Sequence, residues 1–138
     1  MKPPIAFEEV VGAVATDELL ARLSKAYGTA TPDHDDDREQ FSFLSSGMYV
    51  LVDASTKRVT SCALFSRAGS RWTGEPFSWD LPADLAFGMG REEARRLAGT
   101  PVDFNDRFRW DRWDLGTFVV RAGYTTEGRI VAIDLLSG

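Results

Sequence analysis

The sequence predicts an α+β domain: helices on one face of an antiparallel sheet of about six to eight strands. Three observations carry this. First, FGMGREEARRLAGTP reads as a short charged helix from about Arg91 to Ala98, stopped by Gly99 and sealed by Pro101. Second, RFRWDRWDL, GTFVVRAGY and GRIVAIDLL follow as strand signals separated by turn residues. Third, the first half of the chain repeats the scheme. DELLARLSKAYGTATP matches REEARRLAGTP with Gly28-Thr29 over Gly99-Thr100. GMYVLV from Gly47 matches GTFVVR from Gly116, and RVTSCALFS (58–66) matches RIVAIDLLS (129–137). The expected organisation is one domain, 1–138, of two tandem helix-plus-antiparallel-hairpin pseudo-repeats sharing one sheet. The first repeat spans about 5–66, the joint 67–84 and the second repeat about 85–137.

Composition bounds the function classes. With 43% hydrophobic and 27% charged residues, the chain lies far from the disordered regime. A net charge of −5 disfavours general nucleic-acid or anionic-membrane binding, which needs clustered positive charge, and favours a basic protein partner. A single cysteine, Cys62, excludes an internal disulfide and any multi-cysteine metal site, and its strand context (TSCALF) points to a buried, inert thiol. Glu8 and Glu9 interrupt the opening MKPPIAFEEVVGAVA, so no secretory leader is read and a cytoplasmic protein is expected.

Taken in order, Pro3-Pro4 leads into a first short helix with Phe7, Val10, Val11 and Val14 on one side. Thr16 is the N-cap of a second helix, with Asp17 and Glu18 in its first turn and Leu19, Leu20, Leu23 and Tyr27 as its buried stripe. TATPDHDDDREQ reads as a solvated linker or an anionic patch. Strands are expected near 40–45, 48–53 and 58–66. Alternation places Tyr49, Leu51, Cys62 and Leu64 on one face, with Met48, Val50, Val52, Val59, Ala63 and Phe65 on the other. Both faces are apolar, so the face away from the helices is either covered or awaits a partner, and a homodimer is open. The helices are expected to pack on Tyr49, Leu51, Cys62, Leu64, Phe118, Val120, Ile133 and Leu135.

The joint is expected to be a loop or a pair of short edge strands, yet it carries Trp72, Phe77 and Trp79. These aromatics either lid the core or form a contact surface. In FNDRFRWDRWDL, Phe108, Trp110 and Arg112 alternate with Arg109, Asp111, Trp113 and Leu115. Asp103, Asp106, Asp111 and Asp114 offset the arginines, which favours cross-strand ion pairing over single-stranded nucleic acid.

Catalytic and metal chemistry find no support. Asp33, Asp35 and Asp37 imitate the start of a calcium loop, but Arg38 stands where glycine is needed and Leu44 where a bidentate acid is needed. His34 is the only histidine, so neither a zinc site nor a Ser-His-Asp triad is expected. No phosphate-binding glycine loop or nucleophile elbow is present. The expectation is a non-enzymatic binding protein without cofactor or metal.

FGMGREEARRLAGTP, the aromatic strand RWDRWDL and GYTTEGRIVAIDLL, in two tandem helix-plus-sheet units, resemble the β-lactamase-inhibitor-protein fold. That resemblance implies joined sheets whose concave surface grips a target, although the cysteine pairs expected of a secreted inhibitor are missing. In size, acidity and tryptophan content the chain is also similar to immunity proteins of bacterial polymorphic-toxin systems. The second likeness implies an inhibitor of a cognate toxin, and the chain's net acidity points to a basic surface on that toxin; the alternative is a small-ligand or peptide-binding module on the open sheet face. The residues expected to meet the partner are Asp33, Asp35, Asp36, Asp37, Trp72, Trp79, Trp110, Trp113 and Arg112, with Trp113 the one most expected in the core.

Overall fold

A computed structural model describes residues 1–67 and 72–138; residues 68–71 of the joint, Gly69 among them, lie outside the described residues. The helices are α1 (Asp17–Tyr27) and α2 (Arg91–Ala98), each preceded by one 3-10 turn, Phe7–Glu9 and Pro82–Asp84. The strands are β1 (Thr31–His34), β2 (Arg38–Phe43), β3 (Met48–Asp53), β4 (Val59–Phe65), β5 (Asp103–Asn105), β6 (Trp110–Asp114), β7 (Val119–Tyr124) and β8 (Ile130–Leu136). All eight form one antiparallel sheet in the order β1-β2-β3-β4-β8-β7-β6-β5. Each half is a meander, and the halves join where β4 pairs with β8, with Ala63 opposite Asp134.

Helix α1 forms where Thr16 accepts the Leu19 N–H on its Oγ1 at 3.1 Å. It buries Leu19, Leu23 and Tyr27 and ends at Gly28. Helix α2 has the bounds expected from its glycine stop, but its only buried residue is Ala94. The anticipated first helix shrinks to one 3-10 turn: Phe7, Val10 and Val11 are buried, while Val14 leaves the stripe for an isolated bridge to Arg58.

The core lies between the helices and one sheet face. Cys62, Leu64, Phe118, Val120, Ile133 and Leu135 are buried there as expected. Tyr49 and Leu51 are not. The register sets Met48 opposite Leu64 and Val50 opposite Cys62, and cross-strand partners share a face. The core residues of β3 are therefore Met48, Val50 and Val52, and Tyr49 and Leu51 point to the open face. Both sets are apolar, so alternation separates them without saying which faces inward, and a one-residue slip exchanges them.

The acidic linker is a hairpin instead of a loop, since Thr31–His34 pairs with Ser42–Glu39. Within it the His34 N–H donates to Asp33 Oδ1 at 2.8 Å. At the opposite edge the Phe104 N–H donates to Asp103 Oδ1 at 2.9 Å.

The joint crosses the β2–β3 turn, where the Glu75 N–H donates to Leu44 O (2.7 Å) and the Phe77 N–H to Phe65 O (2.8 Å). Gly47 permits this crossing. Its φ is +72°, and a Cβ there would sit 1.9 Å from the Phe77 nitrogen.

Candidate functional site

The face away from the helices carries the candidate site. Across it runs the row Ser42, Tyr49, Ala63, Asp134, Arg121, Arg112 and Asp103, set by successive strand pairings. Tyr49 and Phe65 lie with ring centroids 5.5 Å apart, and Trp72 stacks on Phe65 at 4.6 Å with planes 5° apart. The indole N–H of Trp72 donates to Glu75 O at 2.7 Å, which fixes the ring plane. On the other half, Arg121 bonds Asp134 at 3.0 Å and lies over the Trp110 ring at 5.9 Å. Arg112 stands opposite Arg121 and pairs with Asp103 at 3.2 Å.

Two clefts open on this face. One, of about 530 Å³, is lined by Gln40, Ser42, Tyr49, Phe65, Trp72, Arg121 and Asp134 among others. The other, of about 290 Å³, is lined by Asp33, His34, Asp35, Arg38, Gln40, Tyr49 and Leu51. They share Gln40 and Tyr49, so the acidic hairpin and the Trp72 aromatic stack border two adjoining clefts. Burial, with the Asp134 charge behind it, raises the Tyr49 phenol above its ordinary range, so it stays a neutral hydrogen-bonding group. The Asp37 and Arg38 backbone N–H groups hold the Asp35 carboxyl below its usual range.

The expected partner-binding residues divide accordingly. Asp33 and Asp35 line the smaller cleft, Asp36 and Asp37 are exposed at its hairpin tip, and Trp72, Trp110 and Arg112 belong to the open side. Two tryptophans fall elsewhere. Trp79 is carried to the helix side, 5.2 Å from both the Tyr27 and Phe77 rings. Trp113 is 2% exposed and its indole N–H donates to Gly99 O at 2.8 Å, so it pins the end of α2 instead of meeting a partner.

Sequence reading missed one polar cluster. Asp111 is fully buried and accepts from Arg91 (2.9 Å), Arg95 (2.7 Å) and the Tyr124 hydroxyl (2.9 Å). Burial pushes its carboxyl up, but Arg95, Arg91 and Tyr124 together outweigh burial and hold it below the ordinary value of 3.8. The signal was present: Asp111 shares a strand face with Trp113, and a carboxylate on a core face needs cations, which Arg91 and Arg95 present one helical turn apart. The cluster fastens α2 to the sheet and leaves the carboxylate no open position for chemistry.

Among the described residues no group of three or more His, Cys, Asp or Glu side chains is placed to hold a metal ion. The Cys62 thiol is pushed up to about 12 by burial and then by Asp134, which suppresses its thiolate. No helix among the described residues is long and apolar enough to cross a membrane.

The molecule is thus an α+β protein with one eight-stranded antiparallel sheet, helices on one face and open clefts on the other. No family model matches the chain, and no curated protein does. Among solved structures it is similar to a cysteine-rich secretory protein from Staphylococcus aureus, with 14% identity and a TM-score of 0.62, over 99% of this chain and 47% of that one. It is also similar to an extracellular protein containing a SCP domain from Bacillus anthracis, with 8% identity and a TM-score of 0.63, over the same shares. The chain spans about half the length of these structures. Both are described as secreted or extracellular, whereas the sequence leads to a cytoplasmic expectation; at such identities the likeness carries the fold and not the compartment.

Proposed function

We propose that this chain is an inhibitory binding protein of the immunity class that takes a cognate toxin on its open sheet face. The observation that carries the reading is the pair of adjoining clefts, one beside the acidic hairpin and one beside the Trp72–Phe65–Tyr49 stack, with Gln40 and Tyr49 lining both. Carboxylates at one end favour a basic surface and speed encounter, while flat aromatics at the other supply desolvated contact area. In the inhibitors the sequence resembles, joined sheets grip the target; the counterpart here is the junction of β4 and β8.

Part of the same proposal is that the sheet consists of two copies of one helix-plus-four-strand unit. Across the junction Cys62 faces Leu135 while Leu64 faces Ile133, the exchange that a two-fold axis through the Ala63–Asp134 pair requires. The register shifts lie at Leu51/Val52 and at Gly123/Tyr124, in the same place in each half. Bridges Val14–Arg58 and Gly90–Arg129 also correspond, and each arginine donates to a glycine carbonyl, Arg58 to Gly12 at 3.0 Å and Arg129 to Gly88 at 3.4 Å. These correspondences favour aligning Met48 with Val120 over the Gly47–Gly116 match. The glycine match sets a core-facing Val50 on an outward Val119, against the pleat.

The test is binding kinetics with a toxin encoded beside this gene, at two salt concentrations. Asp36→Asn with Asp37→Asn lowers the association rate mainly at low salt, and Trp72→Ala raises the dissociation rate by about tenfold or more. Unchanged rates in both variants overturn the proposal. The cleft of about 530 Å³, with Gln40, Ser42 and the Arg121–Asp134 pair beside Trp72, favours a second reading as a peptide or small-ligand site. Thermal stabilisation by such ligands, lost in Trp72→Ala, separates it from the first.

A further inference from the structure

We infer that the molecule carries a plug for its own acidic cleft: the β5–β6 turn of one copy, Arg107-Phe108-Arg109, docks into the cleft at the β1–β2 hairpin of a second copy. The inference rests on the functional reading only in using the same cleft.

Phe108 is 67% exposed at the tip of that turn, and Phe104 on the adjoining strand is 55% exposed. An aromatic ring held in water is informative when the backbone beneath it is fixed, and this one is. The Phe108 N–H donates to Asn105 Oδ1 at 2.7 Å, and the Tyr124 N–H donates to Arg109 O at 2.8 Å. Arg109 sits at φ 56°, the left-handed region that costs a non-glycine residue energy and that persists only where neighbours enforce it. Arg107 lies over the Phe108 ring at 5.4 Å. Neither Arg107 nor Arg109 pairs with a carboxylate among the described residues, whereas Arg91 takes Asp106 and Arg112 takes Asp103 nearby. The tip is therefore a rigid aromatic flanked by two uncompensated cations.

The complementary surface is on the same chain. Asp33, Asp35, Asp36 and Asp37 oppose one guanidinium, Arg38, at the acidic hairpin. The cleft beneath has Tyr49 and Leu51 in its lining and a volume of about 290 Å³, suited to one side chain and small for a ligand of drug size. Phe108 would rest on Tyr49 and Leu51 while Arg107 and Arg109 meet the carboxylates. The two hairpins begin and end the strand order, so plug and cleft lie at opposite edges of the sheet and join one copy to the next. Docking covers one of the two recognition clefts, so self-association competes with the partner.

Sedimentation of the wild-type chain from about 1 µM to about 1 mM, at low and high salt, tests this without any toxin. Concentration-dependent association, weakened by salt, is expected. Phe108→Ser weakens it by about 30-fold, the size of a lost interface anchor. Arg107→Glu/Arg109→Glu and Asp36→Lys/Asp37→Lys are each monomeric alone, with unchanged circular dichroism, and associate when mixed because each supplies the charge the other lacks. A monomeric wild type, an indifferent Phe108→Ser, or a mixture that stays monomeric overturns the inference. Failure of toxin binding with self-association intact overturns the functional reading instead.

Discussion

Helices α1 and α2 each precede a four-stranded meander, yet they are attached by opposite physics. Helix α1 has eleven residues and sinks Leu19, Leu23 and Tyr27 into the core, where Tyr27 meets the rings of Phe43 and Trp79. Helix α2 has eight residues, buries only Ala94 and is held through Arg91 and Arg95 on Asp111. Apolar burial is non-directional and forgiving, at roughly 25 cal/mol per Å². A buried carboxylate between two guanidiniums is directional, since its desolvation cost is offset only while every partner is in place. The two fastenings therefore fail differently.

The largest effect expected is at the polar fastening. Asp111→Ala leaves two guanidiniums and the Tyr124 hydroxyl without their acceptor and costs about 3–5 kcal/mol in chemical denaturation. A loss under about 1 kcal/mol would mean that the clamp does not hold α2.

Acid should separate the helices further. The folded-state Asp111 carboxyl titrates below its ordinary value of 3.8, so its contribution is fully present above that value and is lost as pH falls through the lower folded one. Hydrogen exchange below about pH 4 should find the α2 amides opening before those of α1. Simultaneous opening would remove the distinction.

At the apolar fastening, Leu23→Ala removes a fully buried side chain and costs about 3 kcal/mol, without the acid sensitivity. The smallest effects lie at the N-termini. Thr16→Ala costs about 1 kcal/mol by removing the cap, whereas Gly90, which offers α2 no side-chain cap, gains a few tenths of a kcal/mol on Gly90→Ser. Thermal melts of both variants measure this asymmetry.

The placement of the two helices was legible in the sequence, but the polar clamp that holds α2 was not. Thr16 and the Gly99–Pro101 stop placed the helices because capping is local chemistry. The orientation of β3 was not legible, because Tyr49 and Leu51 are as apolar as Met48 and Val50, and only register decides between them. Strand β1 was hidden by Pro32 and the aspartates, residues that disfavour strands except at an edge, where this one lies. For the candidate site, composition pointed to acids and tryptophans but not to their grouping. Trp72 and Trp79 are seven residues apart in the joint and end on opposite sides of the sheet. Phe108 and Arg109 were read as part of a strand; they form a turn, and the positive φ of Arg109 leaves no mark in the sequence.

The carboxylates of Asp33 and Asp103, each holding the next residue's N–H within an outer strand, bear on how the protein survives at high concentration. A meander sheet ends in two strands whose free amides would template further strands, the route by which soluble sheets become fibrils. Here each end neutralises a donor with its own side chain, and Pro32 offers no donor at all. Each border therefore withholds outward donors from a ninth strand, the device by which soluble sheets avoid edge-to-edge pairing.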